Sequence, residues 1–143
     1  MAVMPSEAQP ALAVPRHRPG LALLTALLAA VPYAVCLALP YYVNGVHQRP
    51  ADQTIYAYDL GAMWPYDSAL GGVVSFVAVV GVPTAPFVAG GVAMWSVFMA
   101  WTWRRTLTAG EIVLYAAAAV VGIATIGWLA TPLANELLTW FWD

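Results

Sequence analysis

The side chains able to do chemistry are gathered in one polar stretch. Asn44–Ser68 carries His47, Arg49, Asp52, Asp59 and Asp67, interleaved with Tyr56, Tyr58, Trp64 and Tyr66. Carboxylates and an imidazole at close range can hold a hard cation or exchange protons, provided ligand number and separation suit the task. The spacing here matches no defined metal loop, so no metal site is assigned. Asp52, Asp59 and Asp67 would also be the acid–base groups of an enzyme acting on lipid or envelope material, the weakest of three functional readings. The aromatic members say more. Tyr and Trp on an exposed loop are what protein interfaces enrich. Tyr56, Tyr58, Trp64 and Tyr66 are therefore the candidate recognition residues, unless the loop folds down and seats its rings at the headgroup level.

Elsewhere the chemistry is sparse. Cys36 is the only cysteine, so no intramolecular disulfide or thiolate metal site can form. It lies in an apolar stretch, where it reads as a small apolar side chain. Ser68, Ser75 and Ser96 have no general base near them in sequence. The apolar stretches contain no His for an axial haem ligand and no acid or Arg for a proton relay or voltage sensor. There is no Walker loop, dinucleotide fingerprint, nucleophile elbow or zincin pair. No basic patch serves nucleic acid. No catalytic residue and no cofactor is assigned, and the chain reads as a non-enzyme.

The elements that must position the polar stretch are set by where charge is missing. Only five Arg and seven acidic residues occur among 143, with 62% hydrophobic residues and no Lys. Cations supplied by Arg alone are the usage of a GC-rich, bacterial genome. Three apolar runs, Leu21–Val43, Val82–Trp103 and Ile112–Ala130, each reach the roughly 20 helical residues that cross a bilayer core. The reading is an all-α integral membrane protein with three transmembrane helices over 21–43, 82–103 and 111–131. The first run is too long for a signal h-region and lacks a clear cleavage site, so it is read as retained. Residues 1–19, rich in Ala and Pro, are expected to be a disordered tail. Residues 20–143 form one membrane domain.

Ala69–Trp103 would extend about 52 Å as one helix, too long for an ordinary span. Pro83 and Pro86 are the expected break. Ala69–Gly81 would then be a re-entrant or interfacial segment before the second span. A four-span alternative, with a turn at the prolines, puts more Arg outside. The positive-inside rule favours three spans, with Arg16, Arg18, Arg104 and Arg105 cytoplasmic and Arg49 alone outside. That places the N-terminus in the cytoplasm and the C-terminus outside the cell membrane.

Two helix starts are legible. Thr108-Ala109-Gly110-Glu111 fits a capping box, with Leu107 and Ile112 as a hydrophobic staple. Thr131-Pro132 fits a cap followed by proline at the first helical position. The helix that follows, 132–143, is amphipathic, with Asn135, Glu136, Thr139 and Asp143 on one arc. It is expected either to lie in the outer interface or to dock on a partner.

Small residues recur at helical spacing: Gly81, Ala85, Ala89, Gly90 and Ala93 on the second span, Ala118 and Gly122 on the third. Such faces admit close helix approach. They serve either the protein's own bundle or a second membrane protein. Seven Trp residues fall mostly at the expected interfacial belts, with Trp95 nearer mid-span. The leading expectation is a small multi-pass accessory protein. Its partners would be the lipid bilayer and a larger membrane protein or a second copy. An oligomeric pore or carrier for a small neutral or lipidic solute is the alternative, built on a re-entrant 69–86 segment.

Overall fold

The computed structural model describes residues 18–49, 59 and 61–142, and these form an all-helical bundle without strands. Three helices are long and apolar enough to cross a membrane: α1 (Pro19–Val43), α2 (Gly71–Thr102) and α3 (Ala109–Trp128). A shorter α4 (Pro132–Trp142) closes the chain. Arg18, Arg104 and Arg105 lie at one end of the bundle, and α4 caps the other. Tyr115, nearly two turns into α3, is buried near the arginine end.

The expected break at Pro83 and Pro86 is absent. Both prolines lie inside α2, which runs unbroken for 32 residues. Residues 71–81 are thus its opening turns and not a separate re-entrant or interfacial segment. At 1.5 Å per residue the helix is about 48 Å long. Tilted by about 20°, it projects to about 45 Å, the thickness of a bilayer with its headgroups.

Pro86 is tolerated because another group serves the carbonyl it leaves without a donor. An α-helical N–H at position 86 would bond Val82, but proline has none. The Tyr33 hydroxyl donates to the Val82 carbonyl instead, at 2.9 Å. Position 40 repeats the device. Pro40 cannot serve Cys36, and the Tyr66 hydroxyl donates to the Cys36 carbonyl at 2.6 Å. Freed backbone groups in apolar surroundings are re-satisfied in this way by neighbouring helices, hydroxyls and local π adjustments. The π adjustment is present too: α1 changes from α-helix to π-helix over Pro32–Ala38, then returns to α-helix over Leu39–Val43.

Close packing follows from small residues. Gly122 of α3 sits on α2, where an added Cβ would come within 2.6 Å of the Ala89 carbonyl oxygen and 3.0 Å of the Ala93 Cβ. Gly81 packs on Pro32 of α1, with 2.7 Å between a would-be Cβ and the ring Cγ. The larger buried side chains gather at the α4 end. Tyr33, Leu37 and Tyr41 from α1 meet Val82 from α2 and Leu137, Trp140 and Phe141 from α4.

Both predicted helix starts are present. Thr108 and Glu111 form a reciprocal capping box, and Leu107 is buried beside it. Thr131 Oγ1 accepts the Ala134 N–H at 3.2 Å.

Candidate interaction surface

The α4 end is a folded cap built around the exit of α1. The helix ends at Val43, and Gly45 turns the chain with φ 65°, a left-handed conformation that favours glycine. Between them Asn44 acts as a clamp. Its Nδ2 donates to the carbonyls of Pro40 and Trp64, each at 2.8 Å. Its Oδ1 accepts the Trp64 N–H at 3.3 Å. One side chain thereby fixes the 61–70 turn to the top of α1. Below it, Tyr66 reaches down to Cys36, and a Cβ on Gly71 would overlap the Tyr66 carbonyl. Burial pushes the Tyr66 phenol above its ordinary value of 10.0, with the nearby Cys36 adding to the rise.

Helix α4 lies on this cap. Ala134, Leu137, Trp140 and Phe141 face inward at helical spacing, while Asn135, Glu136 and Thr139 face out. The amphipathic segment therefore docks on the protein's own core. Glu136 accepts a hydrogen bond from the Tyr41 hydroxyl. The Tyr41 ring meets Trp140 edge-on, with centroids 5.8 Å apart. Tyr42 continues the cluster, 5.4 Å from Tyr41 and 5.0 Å from the His47 ring.

What this end presents outward is aromatic. Tyr42, Trp64 and Trp142 are 48%, 46% and 57% exposed. Each grows from an element fixed by the contacts above, so the rings are displayed on a rigid base.

The recognition residues read from sequence are divided by the structure. Trp64 is on the exposed rim. Tyr66 is half-buried and its hydroxyl is committed to Cys36, so it supports the cap from inside. Tyr56 and Tyr58 lie outside the described residues, as does Asp52. Asp59 and Asp67 are described, and no cluster of three metal-ligating side chains occurs among the described residues. Of the small residues, Ala85, Ala89, Ala93, Ala118 and Gly122 are buried within the bundle. Gly81 is half-buried on Pro32, and Gly90 meets only the tip of Ile126.

Tyr33 and Asn44 are not singled out by the sequence, and Tyr41, which its position marks as an interfacial ring, bonds Glu136 instead; the three hold the cap together. The signal for Tyr33 was the proline itself. A carbonyl four residues before an intrahelical proline needs a donor, and hydroxyls are nearly the only donors these stretches contain. No protein-family description matches this chain, and no curated protein or solved structure shows significant similarity to it.

Proposed function

We propose that this chain is a small multi-pass membrane accessory protein that binds a larger membrane protein through its α4 end. The observation that carries the reading is the pairing of an interior whose hydroxyls and Asn44 amide are committed with a displayed aromatic rim. Tyr33, Tyr41, Asn44, Tyr66 and Thr131 all direct their polar atoms to partners within the chain. Tyr42, Trp64 and Trp142 point away from it. Rigid Tyr and Trp anchors of this kind are what interfaces use to gain area at low entropy cost. Seated in headgroups, the same rings would also fix the depth of the bundle.

The three apolar helices support insertion in the cell membrane. Arg18, Arg104 and Arg105 at one end, with Arg49 at the other, support a cytoplasmic N-terminus and an external α4. The pore or carrier alternative was motivated by a re-entrant 69–86 segment, and that stretch is helical from Gly71. No other observation favours it.

The test is extraction of the tagged full chain from its native membrane in mild detergent. A stoichiometric larger membrane protein, lost with Tyr42→Ala/Trp64→Ala, is expected. The chain alone, or only copies of itself, would count against the reading.

A further inference from the structure

The arginine end of the bundle carries a second kind of site. A concavity of about 480 Å³ surrounds the turn after α2, lined by Trp101, Thr102, Trp103, Arg104, Arg105 and Thr106. The Arg104 guanidinium stacks over the Trp101 ring at 4.6 Å. Stacking leaves its in-plane N–H donors available for an oxyanion. Among the described residues neither Arg104 nor Arg105 has an ion-pair partner, and both are exposed.

Two of the acceptors near the arginines that could oppose an anion are already engaged. The Trp103 carbonyl at the end of α2 accepts the Thr106 N–H at 2.9 Å, the Leu107 N–H at 3.0 Å and the Thr106 hydroxyl at 3.0 Å. The Glu111 carboxylate accepts the Thr108 N–H and hydroxyl, each at 2.9 Å. The exposed Arg18 adds a third cation at this end of the bundle.

An apolar groove of about 570 Å³ begins at the same Trp101 and runs between α2 and α3. Gly90, Met94 and Val97 line one side, Ile123 and Ile126 the other. From Trp101 to Gly90 the helix rises about 16 Å, close to half of a 30 Å hydrocarbon core. Gly90 contributes by lacking a side chain: a Cβ there would point at Ile126 Cδ1 at 3.4 Å. A second apolar groove, between α1 and α3, is lined by residues such as Ala30, Ala34, Ala124 and Trp128 and has no charged side chain in its lining.

We propose that the first pair of concavities is one binding site for an anionic phospholipid, with the phosphate at Arg104 and Arg105 and one acyl chain in the Trp101–Gly90 groove. A cationic concavity and an apolar groove one leaflet deep that share Trp101 match an amphiphile. Together they match neither a free anion nor a neutral hydrocarbon. Basic pockets at the cytoplasmic edge of helix bundles hold acidic headgroups by the same physics. The site rests on the membrane reading above and is independent of any protein partner at the α4 end.

The test is native mass spectrometry of the purified full chain with phosphatidylglycerol, phosphatidylcholine of the same chains, and glycerol 3-phosphate. One phosphatidylglycerol retained per chain, in preference to phosphatidylcholine, is expected. Arg104→Gln/Arg105→Gln should weaken its retention about thirtyfold, with each cation contributing near the usual worth of a basic residue at an anionic surface. Arg49→Gln, at the opposite end, should leave it unchanged. Val97→Trp, which fills the groove at an exposed position, should weaken it as well. Equal retention of the two lipids, or no effect of the arginine pair, overturns the site. Displacement by glycerol 3-phosphate at equal concentration would mean a simple anion site. A homodimer cross-linked through position 97 would mean that a helix occupies the groove.

Discussion

Removing the Tyr33 hydroxyl should expose how α2 tolerates its second proline. Tyr33→Phe keeps the buried ring and deletes only the donor to the Val82 carbonyl, 2.9 Å away. Pro86 has no N–H to take its place, and Val82 is 2% exposed, so water cannot do so either. Orphaning a buried acceptor costs about 1–3 kcal/mol. Hydrogen bonds between membrane helices have averaged about 0.6 kcal/mol and reached about 1.7, low values arising where an alternative partner exists. Val82 has lost its own helical donor to Pro86 and is buried, so the expected loss is about 1.5 kcal/mol, roughly a tenfold shift in the unfolding equilibrium. The decisive comparison is the same substitution in a Pro86→Ala background. There the backbone N–H of residue 86 can serve Val82, and Tyr33→Phe should cost under about 0.5 kcal/mol, a coupling of about 1 kcal/mol between the two positions. Unfolding in mixed micelles, followed by tryptophan fluorescence, measures all four proteins. An equal loss in both backgrounds, or none in either, would refute the reasoning.

Gly122→Ala should cost about 1–3 kcal/mol in the same assay, because its Cβ would press on the Ala89 carbonyl and the helices would have to part. Gly72→Ala, with open space around it, should stay within about 0.5 kcal/mol and serves as the control. Tyr66 makes the cap labile to alkali. Its folded phenol titrates above the ordinary value of 10.0, so its contribution is fully present below pH 10 and is lost as pH rises towards the raised value. Unfolding midpoints measured across that alkaline window should fall less steeply for Tyr66→Phe, which begins from a lower stability; parallel pH profiles would contradict this.

The parts of the fold legible in sequence are those whose causes are local. The capping box at Thr108 and Glu111 places donor and acceptor three residues apart, and the Thr131-Pro132 start is equally compact. Three long apolar helices follow from composition alone. The break expected at Pro83 and Pro86 is absent, and the compensation at Pro86 is distant in sequence. Tyr33 lies 49 positions from Val82. A local reading sees a missing N–H and infers a break; only the packed bundle shows who supplies the bond. The same distance hid the fate of α4. Its amphipathic pattern shows that one face must be covered, but a membrane surface, a partner and the chain's own core satisfy that pattern alike. Contact of Leu137, Trp140 and Phe141 with Tyr33 and Tyr41 of α1 decides between them. Of the recognition residues, Tyr66 turns its hydroxyl to the Cys36 carbonyl, and a tyrosine's spacing does not distinguish a phenol facing out from one facing a carbonyl.

Photo-crosslinking in the native membrane tests the proposed function most directly, with a photoreactive residue placed at Trp64, at Trp142 or at Phe87. Phe87 is 81% exposed in mid-helix and should meet lipid. The account predicts one discrete protein adduct from positions 64 and 142 and only lipid adducts from position 87. Lipid adducts alone at all three positions would contradict it and leave the aromatic rim as a membrane anchor.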